Sequence, residues 1–474
     1  MSIVSTVSNK KEYGESSIAF ATYADMIIRK GGRAHIMLRY SKYNHLIKIP
    51  DEDAYALMNF RTAAFARLTP LQKSMFEAAL EMDEHTSVVQ KFLQGGFLVS
   101  YDEMRHMRTR AFLAAGSGRV LGLTICPTLA CNFACPYCFE EQRTGRMSEE
   151  TREAVVNFAR RYLEHFPSTD ISVTWFGGEP LLCPDIIEDL SQNLIKLAGE
   201  KGCGYHARLI TNGWFITPEN VSLLERVNVI EMQITLDGPT PECNDPLRRE
   251  KHGGSSFLRI MENLEHLHTD RIKVMIRCNV NKDNAALFPA LKEKIMAMAK
   301  KAGFPVRVYP ARMDGNEASS GQTRDLTLNM DEFHHQVGAW EEIPYHPTSD
   351  SFINPIFCMA QNINGFAIDE RGALYKCWEA VGRDAISFGN VRDFDILKES
   401  GGDMNAWDAY FETLFPENDS ECMECKVFPI CKGGCPHKRL TGRRTCLPVR
   451  YDPDGFVLKR YSLWRQKNQM EKLL

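Results

Sequence analysis

Three cysteines, Cys131, Cys135 and Cys138, stand in a C-x3-C-x2-C spacing within the stretch Leu121 to Glu140, directly after an apolar, β-branched run that reads as a buried strand. Thiolates so spaced on one loop can hold three irons of a [4Fe-4S] cube. The fourth iron then keeps open positions, because ligation by four cysteines is the resting norm, and it needs a ligand from outside. Zinc is the competing occupant, but structural zinc closes a tetrahedron with paired C-x2-C hooks, and this loop has one such hook. A second group lies far downstream. Cys358 and Cys377 are followed by Cys422, Cys425, Cys431 and Cys435 in C-x2-C-x5-C-x3-C spacing and then by Cys446, seven cysteines that are too many for one site. A zinc ribbon is the plain alternative there. The other five, Cys126, Cys183, Cys203, Cys243 and Cys278, share no ligand spacing and read as small packed hydrophobes.

Strand and helix patterns alternate from the first cysteine loop to about residue 340: ISVTWF, IIEDLSQNLIKLA, ARLITNG, SLLERV, VIEMQITLDG, FLRIMENLEHL, KVMIRCNV, LKEKIMAMAKKA and VRVYPA. That rhythm means repeated βα units, an α/β architecture with six strands when the run before the cysteines is counted. Ligands should gather at the strand C-termini. Gly177-Gly178-Glu179-Pro180 falls at such an end, where glycines permit close backbone approach. Asn212, Thr235 and Arg277 mark three further strand ends. Asn212 also suits a plain turn, and Thr235 an inward-facing strand position. The polar run from Ala311 to Thr327 reads as a loop before a helix near Asp331 to Trp340.

Upstream, AHIMLRY, HLIKIP and YALMNFRTAAFARL carry strand-like runs. Thr69-Pro70 opens a helix through LQKSMFEAALEM, SVVQKFLQ forms a second that stops at Gly95-Gly96, and FLVS is a return strand. The whole suggests a small winged-helix-like module. Its DNA-binding reading lacks the basic footprint that phosphate contacts need.

The cysteine loop with Tyr137 in its last gap, followed by GGEP about forty residues on, resembles the radical S-adenosylmethionine (SAM) enzymes. The resemblance implies a partial (β/α)6 barrel, and SAM chelated to the open iron. Glu179 and nearby carbonyls would accept from the SAM ammonium group, Thr235 would meet the ribose, and Arg277 would pair with the SAM carboxylate. The downstream cysteines, with Phe388-Gly389-Asn390-Val391 between them and Gly433-Gly434 before Cys435, resemble the SPASM extension of that family. By that resemblance Cys422, Cys425, Cys431 and Cys446 hold a distal auxiliary cluster, and Cys435 joins Cys358 and Cys377 on a proximal one. Three [4Fe-4S] clusters are thus expected, one binding SAM and two auxiliary.

Anaerobic sulfatase maturases share this pairing but place a proton-accepting aspartate directly after the cysteine that aligns with Cys377. Here that place is Trp378, with Glu379 next, and a one-residue shift re-aims a side chain, so Glu379 is a weak catalytic candidate. Those relatives also carry a cysteine where this chain has Ile363-Asn364. One proximal iron is therefore either open to a substrate cysteine or closed by an oxygen ligand such as Asp369 or by one of the five unassigned cysteines.

The 474 residues suit about three domains, with 44% hydrophobic and 25% charged residues. A net charge of -4, no basic run and no long apolar stretch argue against nucleic acid and membrane as partners. The N-terminus lacks a secretory pattern, so a cytoplasmic protein is expected, where fifteen cysteines mean metal or redox chemistry. The expected division is a peptide-recognition module over 1–112, the radical SAM barrel over 113–340 and the SPASM domain over 341–474. The expected function is oxidative maturation of a ribosomally made precursor peptide, by a thioether or carbon–carbon cross-link. The module would grip the leader by strand addition, and a flavodoxin or ferredoxin would supply electrons. Epimerisation, sulfatase maturation, and an iron-sulfur carrier or regulator are the alternatives.

Overall fold

Period-two alternation along the barrel strands sorts their side chains between two environments. The structure, a computed structural model, describes residues 3–4, 38–117, 119–167, 169–314, 325–337, 356–395 and 398–470. Six parallel strands lie side by side in chain order: β7 (Val120–Ile125), β8 (Asp170–Trp175), β9 (Tyr205–Thr211), β10 (Val229–Thr235), β11 (Lys273–Val280) and β12 (Val306–Arg312). Between them run α4 (Glu149–His165), α5 (Pro184–Lys201), α6 (Pro218–Arg226), α7 (Ser256–Glu265) and α8 (Phe288–Ala302). Leu121, Leu123 and Ile125 of β7, Ile171, Val173 and Trp175 of β8, and Met232 and Ile234 of β10 enter one core with helix residues such as Val155, Phe158, Ile187 and Leu291. Their neighbours Gly122 and Thr124, Ser172 and Thr174, and Gln233 and Thr235 line a cavity on the opposite face. The six parallel strands and α/β architecture expected from the βα rhythm are present, in the order that the resemblance to the partial (β/α)6 barrel implies.

The C-terminal region continues this sheet. β13 (Gly365–Ile368) pairs parallel to β7, with Gly365 opposite Gly122, and β14 (Ala373–Tyr375) and β15 (Gly389–Asn390) follow antiparallel. The sheet therefore has nine strands in the order β12-β11-β10-β9-β8-β7-β13-β14-β15. Of the loop and helix expected over 311–340, residues 315–324 and 338–340 lie outside the described residues, and α9 spans Met330–Val337.

In the N-terminal module β3 (Asn44–Lys48), β4 (Tyr55–Asn59) and β5 (Phe65–Leu68) form an antiparallel meander, and β1 (Ile3–Val4) pairs antiparallel with β5. A separate pair joins β2 (Arg39–Tyr40) to β6 (Leu98–Val99). Of AHIMLRY, residues 34–37 lie outside the described residues. Helix α1 (Pro70–Glu77) starts on a Thr69–Gln72 capping box and α2 (Ser87–Gln94) on Thr86. α1 is shorter than the apolar pattern suggests, because Ala79 and Met82 leave the helix to pack in the module's own core with Phe76 and Phe92. Leu57, Ala66 and Leu68 face that core. Ala56, Met58 and Phe65 face the other way, onto Phe456, Val457 and Tyr461 of the C-terminal helix α11 (Pro453–Met470). α3 (Glu103–Ala115) follows and is capped at Gly116, ahead of β7.

Candidate active site

A cavity of about 720 Å³ runs along the inner face of the strands to their C-terminal ends, and it collects most of the residues singled out by type and spacing. Cys131, Cys135 and Cys138 line it, and so do Cys358, Cys377 and Cys435 from the C-terminal region. Gly177, Gly178, Asn212, Thr235, Arg277 and Glu379 lie on its wall as well. The cysteine loop is pinned by backbone hydrogen bonds, Ala134 N to Arg249 O at 2.7 Å and Lys251 N to Asn132 O at 2.9 Å.

Gly177 has φ +109°, a left-handed-side conformation that disfavours any other residue. A Cβ on Gly178 would overlap the carbonyl oxygens of Ala130 and Leu129. The GGEP turn thus presses directly on the cysteine loop, and Glu179 N donates to Ala130 O at 2.9 Å. The Glu179 side chain is fully buried and accepts from Leu181 N at 2.9 Å, Thr211 Oγ1 at 2.8 Å and Asn212 N at 2.7 Å. It knots the GGEP turn to the end of β9, and the cavity wall at this point is formed by the two glycines. Asn212 takes the turn role and also braces the cysteine loop. Its Oδ1 accepts from Trp214 N at 2.9 Å, as a turn residue does, while its Nδ2 donates to Asn132 Oδ1 at 2.7 Å in the cysteine loop.

Beneath the loop lies a polar network that spacing did not reveal. Tyr137 Oη donates to Asp237 Oδ2 at 2.5 Å and accepts from Arg248 Nη1 at 3.1 Å and Asn279 Nδ2 at 3.2 Å. Arg277, one strand over, donates from Nε to Asn279 Oδ1 at 2.9 Å. Burial pushes the Cys131 and Cys138 thiols up to about 12 and raises Cys135 too, while the charge of Arg248 pulls each of the three back. Glu140, two residues past the last cysteine, is a buried carboxyl pushed up to about 8 by desolvation and then by the charge of Glu179. Its Oε2 has no hydrogen-bond partner among the described residues. No motif pointed to Arg248 or Glu140; the signal available was an arginine eleven residues beyond Asp237 and a carboxylate run after Cys138.

On the opposite side, Cys358, Cys377 and Cys435 line the cavity, whereas Cys422, Cys425, Cys431 and Cys446 do not. The seven downstream cysteines therefore stand as a group of three on the cavity and a group of four beyond it. Guanidinium groups reach the outer group, Arg439 Nη2 to Cys422 Sγ and Arg450 Nη1 to Cys446 Sγ, both at 3.3 Å. Glu379 faces the cavity although it is displaced by one residue, because Trp378 opens a short 3-10 turn and its ring meets that of Phe176 at a 36° tilt, centroids 5.3 Å apart. Burial raises its carboxyl, and Lys438 Nζ lies 3.9 Å away. Asp369 is committed elsewhere. It accepts from Arg143 Nη2 at 2.5 Å, Tyr375 Oη at 3.2 Å and two backbone amides, and it is absent from the cavity wall. Among the described residues the five unassigned cysteines do not line the cavity either.

Three thiols on one loop, a paired-glycine turn packed against that loop, and an unpaired buried donor and acceptor at Arg248 Nε and Glu140 Oε2 suit an iron-sulfur cluster with a charged organic ligand beside it. Among the described residues no three His, Cys, Asp or Glu side chains converge on a point where a single metal ion would sit. No helix among them is long and apolar enough to cross a membrane.

The model of the radical SAM superfamily matches residues 125–302. Mycofactocin maturase MftC of Mycobacterium tuberculosis is 26% identical over 333 residues, covering 65% of this chain and 76% of that protein. The serine-type anaerobic sulfatase-maturating enzyme of Klebsiella aerogenes is 22% identical over 336 residues, 65% of this chain and 77% of that one. Among solved structures, anSMEcpe with bound AdoMet and a Cp18Cys peptide superposes with a TM-score of 0.54 at 21% identity, covering 74% of this chain and 99% of that chain, a likeness of fold. With the cysteine loop, the GGEP turn and the six parallel strands in place, residues 125–302 are a radical SAM domain, which implies SAM and a [4Fe-4S] cluster, and the chain that carries it is an enzyme.

Proposed function

We propose that this enzyme matures a ribosomally made precursor peptide by an oxidative cross-link, a thioether in the first instance. One observation carries the reading: the first cysteine loop and the trio Cys358, Cys377 and Cys435 face each other across one cavity of about 720 Å³. A volume of that order admits a cofactor and a substrate segment together. In this reading Cys131, Cys135 and Cys138 hold the SAM-binding cluster, and Cys358, Cys377 and Cys435 the proximal auxiliary cluster. Cys422, Cys425, Cys431 and Cys446 hold the distal one. When bound, the SAM-binding cluster and SAM together supply the 5'-deoxyadenosyl radical that abstracts hydrogen from a peptide carbon.

The chain's own residues bind, orient and exclude water. Gly177 and Gly178 let backbone approach SAM, and Thr235 and Arg277 on adjacent strands offer a hydroxyl and a guanidinium to it. Glu179 acts through the turn it knots together. Glu379 stands on the wall next to Cys377, where it can take a proton from the substrate. Three proximal thiols, with Asp369 engaged by Arg143, leave a ligand place that a substrate cysteine would fill, which favours a thioether.

The division into 1–112, 113–340 and 341–474 follows these roles. Strand addition by a leader peptide is supported at the β5 edge, where Ile3–Val4 already pairs as an antiparallel strand. A flavodoxin or ferredoxin would deliver the electron. Similarity to a sulfatase-maturating enzyme keeps protein-side-chain oxidation as a second reading, and the cavity position of Glu379 favours it. The test is the mass of a cysteine-containing candidate precursor after anaerobic incubation with reconstituted enzyme, SAM and reductant. Loss of two hydrogens per cross-link, resistant to thiol alkylation, supports the thioether. An unchanged mass with every candidate carrying its leader would reject the oxidative cross-link, since epimerisation alone conserves mass.

A further inference from the structure

Arg248 is a buried cation beside the first cysteine loop, only 7% exposed. Its Nη1 donates to Tyr137 Oη at 3.1 Å, and its guanidinium carbon lies 5.3 Å from the centre of the Phe133 ring. Its Nε has no hydrogen-bond partner among the described residues, and the side chain is part of the cavity wall that the three cysteines share. Tyr137 itself sits in the gap between Cys135 and Cys138. Asp237 answers the charge: it accepts from Tyr137 Oη and, at 2.8 Å, from Asn279 N, and it is fully buried.

We propose that Arg248 sets the reduction potential of the cluster held by Cys131, Cys135 and Cys138, its fixed charge favouring the reduced state, with Asp237 opposing it. The inference rests on the reading that those cysteines hold the SAM-binding cluster. One-electron reduction by an external donor such as dithionite or a flavodoxin adds a negative charge inside a pocket of low dielectric. A permanent positive charge in the same pocket lowers the cost of that charge, and a buried carboxylate raises it. Hydrogen bonds to cluster sulfurs are a further lever on the potential, and Arg248 Nε is an unused donor on the correct wall. Arginine suits the position because a guanidinium keeps its proton when buried.

The experiment is a redox titration of the anaerobically reconstituted full-length protein, monitored by electron paramagnetic resonance and restricted to the reduced-cluster signal that SAM perturbs. Iron content is matched first. Arg248→Gln should lower the midpoint so that the reduced-to-oxidised ratio at a fixed potential falls about tenfold, about 59 mV for one electron. Asp237→Asn should move it the other way. Opposite shifts support the assignment, because a merely loosened loop has no reason to respond with opposite signs. Two unchanged midpoints, or two shifts of the same sign, would overturn it. If Arg248→Gln fails to hold iron, Asp237→Asn decides alone: an upward shift supports the proposal, and no shift or a downward one overturns it. A wild-type protein with no SAM-responsive signal would instead remove the underlying cluster assignment.

Discussion

Gly178 stands so close to Ala130 that any side chain there must push the cysteine loop away from the strand ends. Gly178→Ala should therefore cost about 1–3 kcal/mol of stability by overpacking and reduce iron bound after reconstitution; a variant with full iron content and unchanged melting would contradict the close approach. Arg143 poses a different case. It links the segment after the loop to Asp369, Glu370 and Asp384, and Asp369 has a fully buried side chain. Arg143→Ala should lose about 3–5 kcal/mol, read by denaturant unfolding, because it leaves a buried carboxylate uncompensated. At this scale the cysteines and the paired glycines were legible, since short spacings and a fixed turn carry their meaning locally. The Tyr137–Asp237–Arg248 network was not, because Tyr137 lies 100 and 111 residues from Asp237 and Arg248 and each alone reads as an ordinary polar residue. The partners of Glu179 were hidden for the same reason: a motif names the residue, and only the fold brings Thr211 and Asn212 to it.

Helix α11 does not stand apart from the N-terminal module. Phe60 and Phe65 of the module pack against Phe456, Tyr461 and Trp464, and Tyr461 Oη donates to Glu52 Oε1 at 2.5 Å. Phe456→Ala should cost about 3–5 kcal/mol locally and free the module, seen as faster proteolysis between α3 and β7; an unchanged cleavage rate would mean the contact carries no such weight. Removing the whole module would strip this apolar face bare, so smaller changes test its role better. Deleting residues 1–5 should tighten leader binding about fivefold, the worth of about one net hydrogen bond, because Ile3–Val4 occupies the β5 edge. Weaker binding in a titration of the leader would reject that edge as its site. The six barrel strands were visible in alternation with helices, and α2 ended where Gly95 said it would. Pairing of β13 with β7 was not visible, since it joins segments some 240 residues apart and no local pattern encodes it.

The whole molecule places two groups of cysteines across one chamber, with a third group outside it. The nine-stranded sheet makes this possible, because it carries the first cysteine loop after β7 and delivers Cys358 and Cys377 on either side of β13 and β14. An enzyme that generates a radical on one wall and holds its substrate toward the other needs that continuity, whereas an electron carrier needs none of the SAM-facing strand ends. The decisive measurement is 5'-deoxyadenosine formed when dithionite is added to the anaerobically reconstituted full-length protein with SAM. Wild-type protein should produce it, and the variant carrying Cys131→Ala, Cys135→Ala and Cys138→Ala should produce none. Equal, background-level product from both would contradict radical catalysis at this loop and leave the chain an iron-sulfur carrier.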